Sequence, residues 1–155
     1  MAEVRRATPA DLDELLEMGA AMHAESPAYR DEPFEPDIVR RWLMQRMSST
    51  LLVDDSAVFV AMGPDGITGV MIGFVADRWF NRRRFAAELI LYVRPQHRGG
   101  RTLPRLVQAF EAWARAQGAS KATIGTSTGI HAQRTVHTYG RLGYTLDGHN
   151  ATKVL

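Results

Sequence analysis

Apolar and polar residues follow two different periods along the chain, and the period changes several times. Spacings of three and four residues, typical of amphipathic helices, occupy four segments: 9–25, 38–47, 103–114 and 131–142. Runs typical of strands lie between them, at 3–6, 51–53, 57–61, 70–75, 87–93, 121–126, 144–146 and 152–155. The pattern predicts one mixed α/β domain over residues 1–155, with no internal repeat and no linker.

Three local signals sharpen this prediction. Thr8-Pro9-Ala10-Asp11 has a capping residue, a proline at the first helical position and an acid three residues after the cap. The sequence Gly63-Pro64-Asp65-Gly66 favours a hairpin turn between two strands. Residues 87–93 (AELILYV) form a nearly continuous apolar run, which predicts a central strand buried on both faces.

Composition narrows the class of protein. The 155 residues are 45% hydrophobic and contain no cysteine, which excludes a disulfide framework, a thiolate nucleophile and a cysteine-ligated zinc site, and suits a reducing cytoplasm. The opening MAEVRRATPADLDE lacks the apolar core of a signal peptide. No apolar run approaches the ~20 residues of a membrane span. We therefore expect a cytoplasmic protein with no metal site and no membrane partner.

Charge is divided unevenly along the chain. Residues 1–77 hold 6 Lys and Arg against 14 Asp and Glu, whereas residues 78–155 hold 13 against 3, so the net charges are −8 and +10. Two interpretations are open at this point. Either the basic half binds an anionic ligand and the acidic half a cationic one, or the two halves attract each other across the fold.

The most informative segment is a strand, a glycine-bearing loop and a helix start, over residues 93–102 (VRPQHRGGRT). Unpaired N–H groups at a helix start bind phosphates, and adjacent glycines let the backbone approach a ligand. Pro104 fits only near the start of a helix, which places that start at about 100–102. The segment has neither the Gly-Lys-Ser/Thr of a Walker loop nor the third glycine of a dinucleotide-binding loop.

The residues Gln96-His97-Arg98-Gly99-Gly100 resemble the acetyl-CoA-binding motif of GNAT acyltransferases, Gln/Arg-x-x-Gly-x-Gly/Ala. Arg101 departs from it at the sixth position. Three further segments are similar to the family: 4–12 (VRRATPADL), 88–95 (ELILYVRP) and 139–144 (YGRLGY). The resemblance extends over nearly the whole chain, and residues 98–101 are also similar to phage and prophage members.

The resemblance implies a GNAT fold, a central mixed and mostly antiparallel sheet flanked by about four helices. It also implies that the acetyl group of acetyl-CoA, the co-substrate, moves to a primary amine by direct attack in a ternary complex. In the family, a backbone N–H at a bulge in the fourth strand binds the thioester oxygen, and pantetheine pairs with that strand. The residues implied in cofactor binding are Leu91, Tyr92, Val93, Gln96, His97, Arg98, Gly99, Gly100, Arg101, Thr102 and Arg134.

Two residues are the catalytic candidates. Tyr139 matches the family tyrosine that protonates the departing CoA sulfur, or it is an aromatic packing residue of the last helix. Glu88 is an isolated acid in a basic and apolar stretch, and in some members a glutamate at a similar place deprotonates the amine. The other interpretation of Glu88 is a strand-end carboxylate paired with an arginine of the cluster 82–84.

Several partner assignments stay open. The acidic segment 25–37 contains five acids and three prolines, and is either the acceptor site or a solvated loop. The arginines at 82–84 either face the CoA 3′-phosphate or are solvated. We expect a small-molecule or protein amine as acceptor, and either a monomer or a homodimer. Nucleic acid is not expected, because the arginines lack interleaved exposed aromatic residues. The alternative function is a catalytically silent acyl-CoA sensor.

Overall fold

The computed structural model describes residues 3–48 and 55–154. They form a five-stranded sheet in the order β1-β2-β3-β4-β5, made of Glu3–Arg6, Ser56–Gly63, Gly66–Asp77, Arg84–Val93 and Ala119–Thr123. Strands β1 to β4 are antiparallel, and β5 runs parallel to β4. The α-helices α1 to α4 are Leu12–Glu25, Pro36–Met47, Thr102–Ala116 and Ala132–Arg141. The predicted mixed, mostly antiparallel sheet with about four helices is confirmed.

The sheet separates two hydrophobic layers. On one face Leu15 and Met18 of α1 pack with Ile72 of β3, and on the other face Met71 of β3 packs with Phe110 of α3. Successive side chains of a strand point to opposite faces, so β3 contributes to both layers. This explains why its sequence is apolar without alternation.

The predicted start of the first helix is confirmed. A short 3-10 turn, Pro9–Asp11, precedes α1, and the backbone N–H of Thr8 donates to Oδ2 of Asp11 at 2.7 Å. Both guanidinium Nη atoms of Arg5 lie 2.8 Å from the Asp11 carboxylate. The hydrogen bond from Arg5 lowers the pKa of Asp11 to about 2, although burial opposes this shift.

The ends of the other helices define the loops. Glu25 is the last residue of α1 and Pro36 the first of α2, so the irregular acidic loop covers residues 26–35. Helix α3 begins at Thr102, inside the predicted interval, and Pro104 is its third residue. No helix within the described ranges is both long and apolar enough to cross a membrane.

The prediction that β4 is buried on both faces is wrong for most of the strand. Ala86, Tyr92 and Val93 are buried, but Leu89 is 36% exposed and its neighbours are half-buried. The cause is the pairing with β5, which extends over 84–87 of β4 and stops there. Beyond that point β4 has one side without a neighbouring strand among the described residues.

A β-bulge interrupts β4 directly after this point. Ile72 of β3 pairs with Ile90, but Gly73 pairs with Glu88, so Leu89 is an extra residue in β4. The position predicted for the family's bulge, within 91–93, is wrong. The hydrophobic run could not reveal the position, because inserting one residue changes the pairing register without changing the apolar composition.

The two predicted terminal strands are also absent from the described residues. Residues 144–146 and 152–154 have no regular secondary structure, and Leu155 lies outside the described part. The Tyr144 hydroxyl donates to Glu111 on α3 at 3.0 Å, whereas Leu146 and Val154 are exposed. These apolar residues have neither a partner strand nor a core face to cover. The predicted run 51–53 likewise lies outside the described residues.

Gly73 permits the close approach of β3 and α3 opposite the bulge. A Cβ at this position would lie 2.4 Å from Cε2 of Phe110, a ring with no exposed surface. We expect Gly73→Ala to lower the free energy of unfolding by about 1–3 kcal/mol, measured by urea denaturation. Gly148→Ala is the control, since nothing lies within 4 Å of its Cβ position. Equal midpoints for the two variants would contradict this packing.

Candidate active site

The two catalytic candidates of the sequence meet at one residue, Gly125, directly beyond the end of β5. The hydroxyl of Tyr139 donates to the carbonyl oxygen of Gly125 at 2.9 Å. The backbone N–H of Gly125 donates to Oε2 of Glu88 at 3.0 Å. The backbone of Gly125 therefore joins the phenol of α4 to the carboxylate of β4. The sequence analysis missed Gly125, because a glycine acting through its backbone has no side-chain signal.

Burial changes the acidity of both side chains. Desolvation raises the pKa of Glu88 to about 6, and the hydrogen bond from Gly125 opposes that rise. Burial, followed by the negative charges of Glu88 and Tyr144, raises the pKa of Tyr139 above its usual range. At neutral pH the site thus holds a carboxylate that gains a proton easily and a phenol that keeps its own.

The arginine cluster that follows β3 does not pair with Glu88. Arg84 forms ion pairs with Asp55 and Asp77 instead, the second at 3.7 Å. Glu88 lies in the middle of β4 rather than at its end, since the strand covers Arg84–Val93. Within the described residues, the predicted pairing of Glu88 with an arginine of 82–84 is therefore wrong.

The same cluster lies far from the glycine-bearing loop. Arg84 is the first residue of β4, and the rest of the strand, 85–93, separates the two, a distance of roughly 30 Å at about 3.3 Å per residue. Arg82 and Arg83 are exposed, which favours the interpretation that they are solvated. The expectation that no exposed aromatic residues accompany the arginines is wrong here, because Trp79 is 94% and Phe80 60% exposed.

The glycine-bearing loop has the conformation that its sequence predicts. Residues Pro95–His97 form one 3-10 turn, Gly99 adopts a φ of 80°, and α3 begins at Thr102. Gly99 needs this left-handed conformation, which residues with a Cβ adopt only with strain. The remaining positions differ in exposure: Gln96, Gly100 and Arg101 are exposed, His97 is half-buried and Thr102 is buried.

Arg134 of α4, which the family resemblance implies in cofactor binding, lies beside this loop. Its Nη2 atom lies 3.3 Å from the position that a Cβ on Gly99 would occupy. Neither Arg134 nor Arg101 has an ion-pair partner in the part of the chain that the structure describes. Both guanidinium groups are exposed beside the first turn of α3, so they add positive charge to its unpaired N–H groups.

Arg98 has a different environment from the other arginines of the loop. Its Nη atoms lie 2.5 and 2.7 Å from the carboxylate oxygens of Glu25, and its Nε donates to the carbonyl of Val93 at 2.8 Å. The hydroxyl of Tyr92 donates to the same carboxylate at 3.1 Å, and the guanidinium lies over the Tyr92 ring. Arg98 therefore attaches the loop to the end of α1.

Glu25, which the sequence places in the acidic segment 25–37, is a second residue whose contact with the loop is not predicted. A signal was nevertheless present, because Glu25 directly precedes Ser26-Pro27, where the helix was expected to end. A carboxylate at a helix C-terminus faces the negative end of the helix dipole, which costs about 0.3–1 kcal/mol. Such a residue needs a cation nearby, and the hydrogen bonds from Arg98 lower the pKa of Glu25.

We expect Glu25→Gln to lower the free energy of unfolding by about 1–2 kcal/mol at pH 7, because Arg98 loses its bidentate partner. The lowered pKa of Glu25 makes this contribution present at neutral pH and absent below the folded-state pKa. The difference from the unmodified chain should therefore shrink on acidification in urea titrations. Asp13→Asn, which breaks an exposed ion pair with Arg40, should leave the midpoint nearly unchanged. Similar losses of unfolding free energy in both variants would contradict a stabilising ion pair between Glu25 and Arg98.

Solved structures of other proteins share this fold. A transcriptional regulator from Bacillus halodurans has a TM-score of 0.77 at 17% identity, with 100% of both chains covered. Glucosamine-6-phosphate N-acetyltransferase from Arabidopsis thaliana has 0.76 at 13% identity, covering 99% of this chain and 98% of that one. An aminoglycoside acetyltransferase from an uncultured soil metagenomic sample has 0.73 at 16% identity, covering 100% and 99%.

The sequence comparisons give the family. No curated protein matches the chain significantly by sequence. The further resemblance to phage and prophage members is not borne out by these matches. The family model described as "Acetyltransferase (GNAT) family" matches residues 18–144, which include β4, the glycine-bearing loop, α3 and Tyr139. The chain therefore belongs to the GNAT acetyltransferase family.

Proposed function

We propose that this acetyltransferase uses acetyl-CoA to acetylate a primary amine, by direct attack while both substrates are bound. The observation that carries the proposal is the convergence of Glu88 and Tyr139 on Gly125 beside the unpaired side of β4. One group of this pair can accept a proton and the other can donate one, as amine acylation by a thioester requires. The chain has no cysteine to carry an acetyl group, in keeping with direct transfer.

The residues around the glycine-bearing loop fit acetyl-CoA. The left-handed Gly99, the first turn of α3, Arg101 and Arg134 would hold its phosphates. Residues 88–93 of β4 have no β5 partner among the described residues, so their backbone, apart from the Val93 carbonyl that accepts from Arg98, is available for the pantetheine amides. When bound, acetyl-CoA supplies the activated acetyl thioester.

The bulge offers a backbone donor near Glu88. The extra residue of a β-bulge is left without a partner in the ladder, and here that residue is Leu89. A backbone N–H fixed in this way stabilises negative charge on an oxygen without reorganising during the reaction. We assign this role to the bulge at Leu89 in place of residues 91–93.

Glu88 and Tyr139 would act in sequence. Glu88 takes a proton from the attacking ammonium, directly or through water, because its pKa of about 6 leaves it largely ionised at neutral pH. Its negative charge raises the pKa of Tyr139, so neutralising Glu88 makes the phenol a stronger acid. The neutral amine attacks the thioester carbon, and the carbon–sulfur bond breaks once the carbon–nitrogen bond has formed. The Tyr139 hydroxyl leaves the Gly125 carbonyl and donates its proton to the departing sulfur, and the phenolate regains a proton as the nitrogen loses its second one. Proton uptake at Glu88 thus prepares proton release at Tyr139.

The names of the structural neighbours support an amine acceptor only in general terms. One is an acetyltransferase of glucosamine 6-phosphate and another of aminoglycosides, so both act on amines. Identities of 13% and 16% show a shared fold but do not identify the acceptor of this chain. The sensor alternative, in which acyl-CoA is bound and not used, is not favoured, because it gives no role to the linked Glu88 and Tyr139.

The first test separates the enzyme from the sensor. Acetyl-CoA should raise the melting temperature of the chain through binding to its native state. Release of CoA thiol, followed with a thiol reagent, should then depend on an added primary amine. Stabilisation without amine-dependent thiol release over a broad panel of amines would favour the sensor. The absence of any stabilisation at saturating acetyl-CoA would contradict both functions.

Tyr139→Phe tests the proton donor. We expect kcat to fall by roughly 100-fold, the lower part of the usual range for a lost general acid, with the KM for acetyl-CoA changed little. Tyr144→Phe is the matched control, since its ring lies 6.2 Å from that of Tyr139 and its hydroxyl contacts Glu111. An unchanged kcat in Tyr139→Phe would remove this hydroxyl from the reaction.

Glu88→Gln tests the proton acceptor through pH. Burial raises the pKa of Glu88 to about 6, so kcat/KM of the unmodified enzyme should increase as pH rises through about 6. The variant should lack this inflection and keep only that of the amine. The loss of kcat/KM in the variant, relative to the unmodified enzyme, should be greatest between about pH 6 and the pKa of the amine. In this range the Glu88 carboxylate is ionised and the amine is not yet neutral. Parallel pH profiles would make Glu88 structural.

A further inference from the structure

A cavity of about 430 Å³ lies on the opposite face of the sheet from α3. Helices α1 and α2, the loop 26–35 and the inner face of β3 and β4 enclose it. Its walls are mainly apolar and include Met18, Met22, Val39, Trp42 and Ile72. This size and lining are typical of a site for a small organic molecule rather than for water or an ion.

The cavity reaches the reacting part of β4. Ile90 and Tyr92 contribute to its lining, and Ile90 directly follows the bulge residue Leu89. A molecule in the cavity would therefore lie against the strand segment that we assign to the thioester. The cavity and the proposed active site thus share this segment of β4, although Glu88, Gly125 and Tyr139 are not among the residues that line the cavity.

The entrance to the cavity is acidic. Glu32 and Glu35 of the loop contribute to the lining and are exposed, and the described residues that line the cavity include no lysine or arginine. The aromatic rings of Tyr29 and Phe34 lie on the same loop, and Phe34 contacts His23 of α1 with ring centroids 5.4 Å apart. Neither carboxylate has an ion-pair partner among the described residues, so the two attract an ammonium group and repel a phosphate or a carboxylate.

The apolar walls of the cavity also discriminate between amines. A hydroxyl or an ammonium group buried against methionine, valine and tryptophan without a hydrogen-bond partner loses several kcal/mol of hydration. A polyhydroxylated or multiply charged amine would leave many such groups unsatisfied inside this cavity. An amine with a hydrocarbon body buries that body favourably and keeps a single polar end.

We propose that the acceptor is a primary amine carried on an aromatic or branched aliphatic body, and that the body occupies this cavity. The inference rests on the proposed function and names its substrate class. Glu32 and Glu35 attract the cationic form at the entrance, the apolar walls bind the body, and the amino group points to the bulge at Leu89. A long acyl chain is the competing occupant, but it gives no role to the carboxylates at the entrance.

The acceptor class is tested with matched pairs of amines. Thiol release from acetyl-CoA is measured with 3-methylbutylamine against 2-aminoethanol, and with 2-phenylethylamine against glucosamine 6-phosphate. We expect kcat/KM to be at least about tenfold higher for the apolar member of each pair, since a single methylene in a fitting pocket contributes about that factor. Equal or reversed values would overturn the proposal.

A substitution that fills the cavity tests its location. A Cβ on Gly19 would lie 3.6 Å from the Phe34 ring, an ordinary contact, so Gly19→Leu extends into the cavity. We expect the KM for 2-phenylethylamine to rise at least about tenfold, with the KM for acetyl-CoA unchanged. Ala21→Leu, on the exposed side of the same helix, is the control and should change neither value. Stabilisation by acetyl-CoA shows that each variant is folded, and Gly19→Ala provides a milder filling.

The carboxylates are tested together. The double variant Glu32→Gln with Glu35→Gln should lower kcat/KM for 2-phenylethylamine several-fold and weaken its dependence on ionic strength. Glu17→Gln, an exposed position on α1 outside the cavity lining, is the control. Identical salt dependence in the double variant and the control would overturn the role of the entrance.

The remaining outcomes separate this inference from the function on which it rests. If acetyl-CoA stabilises the chain but no amine releases thiol, the proposed function fails and the inference fails with it. If only the polar amines are acetylated, the function stands and the inference is overturned. If octanoyl-CoA is preferred to acetyl-CoA and Gly19→Leu abolishes that preference, the cavity holds the acyl chain, and the inference is again overturned.

Discussion

The site depends on the point at which β4 and β5 stop pairing. Thr123 is the last residue of β5 to pair with β4, opposite Ala87. Two residues later the N–H of Gly125 donates to the side chain of Glu88 instead of to a neighbouring strand. This bond satisfies a backbone donor that the ladder no longer uses, and it fixes the carboxylate at the opening. If β5 continued to pair along β4, the backbone N–H and C=O groups of β4 would all be hydrogen-bonded to strands. No ligand could then bind along β4.

The bulge at Leu89 and the unpaired side of β4 act together. A bulge bends its strand and increases its twist, which suits a strand that separates from its neighbour within a few residues. Gly73 of β3 lies opposite this region, where its lack of a Cβ admits the ring of Phe110. Core packing on the α3 side therefore supports the part of β4 that we assign to the reaction. Since neither feature requires a particular side chain at Leu89, the apolar pattern of residues 87–93 concealed both.

The sequence predicts features that depend on local backbone preferences, but not features that depend on contacts between distant segments. The helix start at Thr8, the hairpin turn after Gly63 and the glycine-bearing loop before Thr102 depend on local backbone preferences, and each is where the pattern placed it. The pairing register, the bulge and the ion pair of Glu25 with Arg98 depend on contacts between distant segments, which a single sequence does not encode in its periodicity. The terminal strands failed for a related reason, because a β-like run needs a partner strand as well as a composition.

Of the two uses of the uneven charge that the sequence left open, the structure shows the attraction between the two halves. Ion pairs of Glu25 with Arg98, Glu14 with Arg94 and Asp55 with Arg84 join the acidic half to the basic half. They attach α1 and the start of β2 to the two ends of β4. Among the remaining charges, the exposed guanidinium groups of Arg101 and Arg134 lie beside the first turn of α3, and the exposed carboxylates of Glu32 and Glu35 line the cavity. This placement of the charges suits the proposed binding of phosphates beside α3 and of an ammonium group at the cavity entrance.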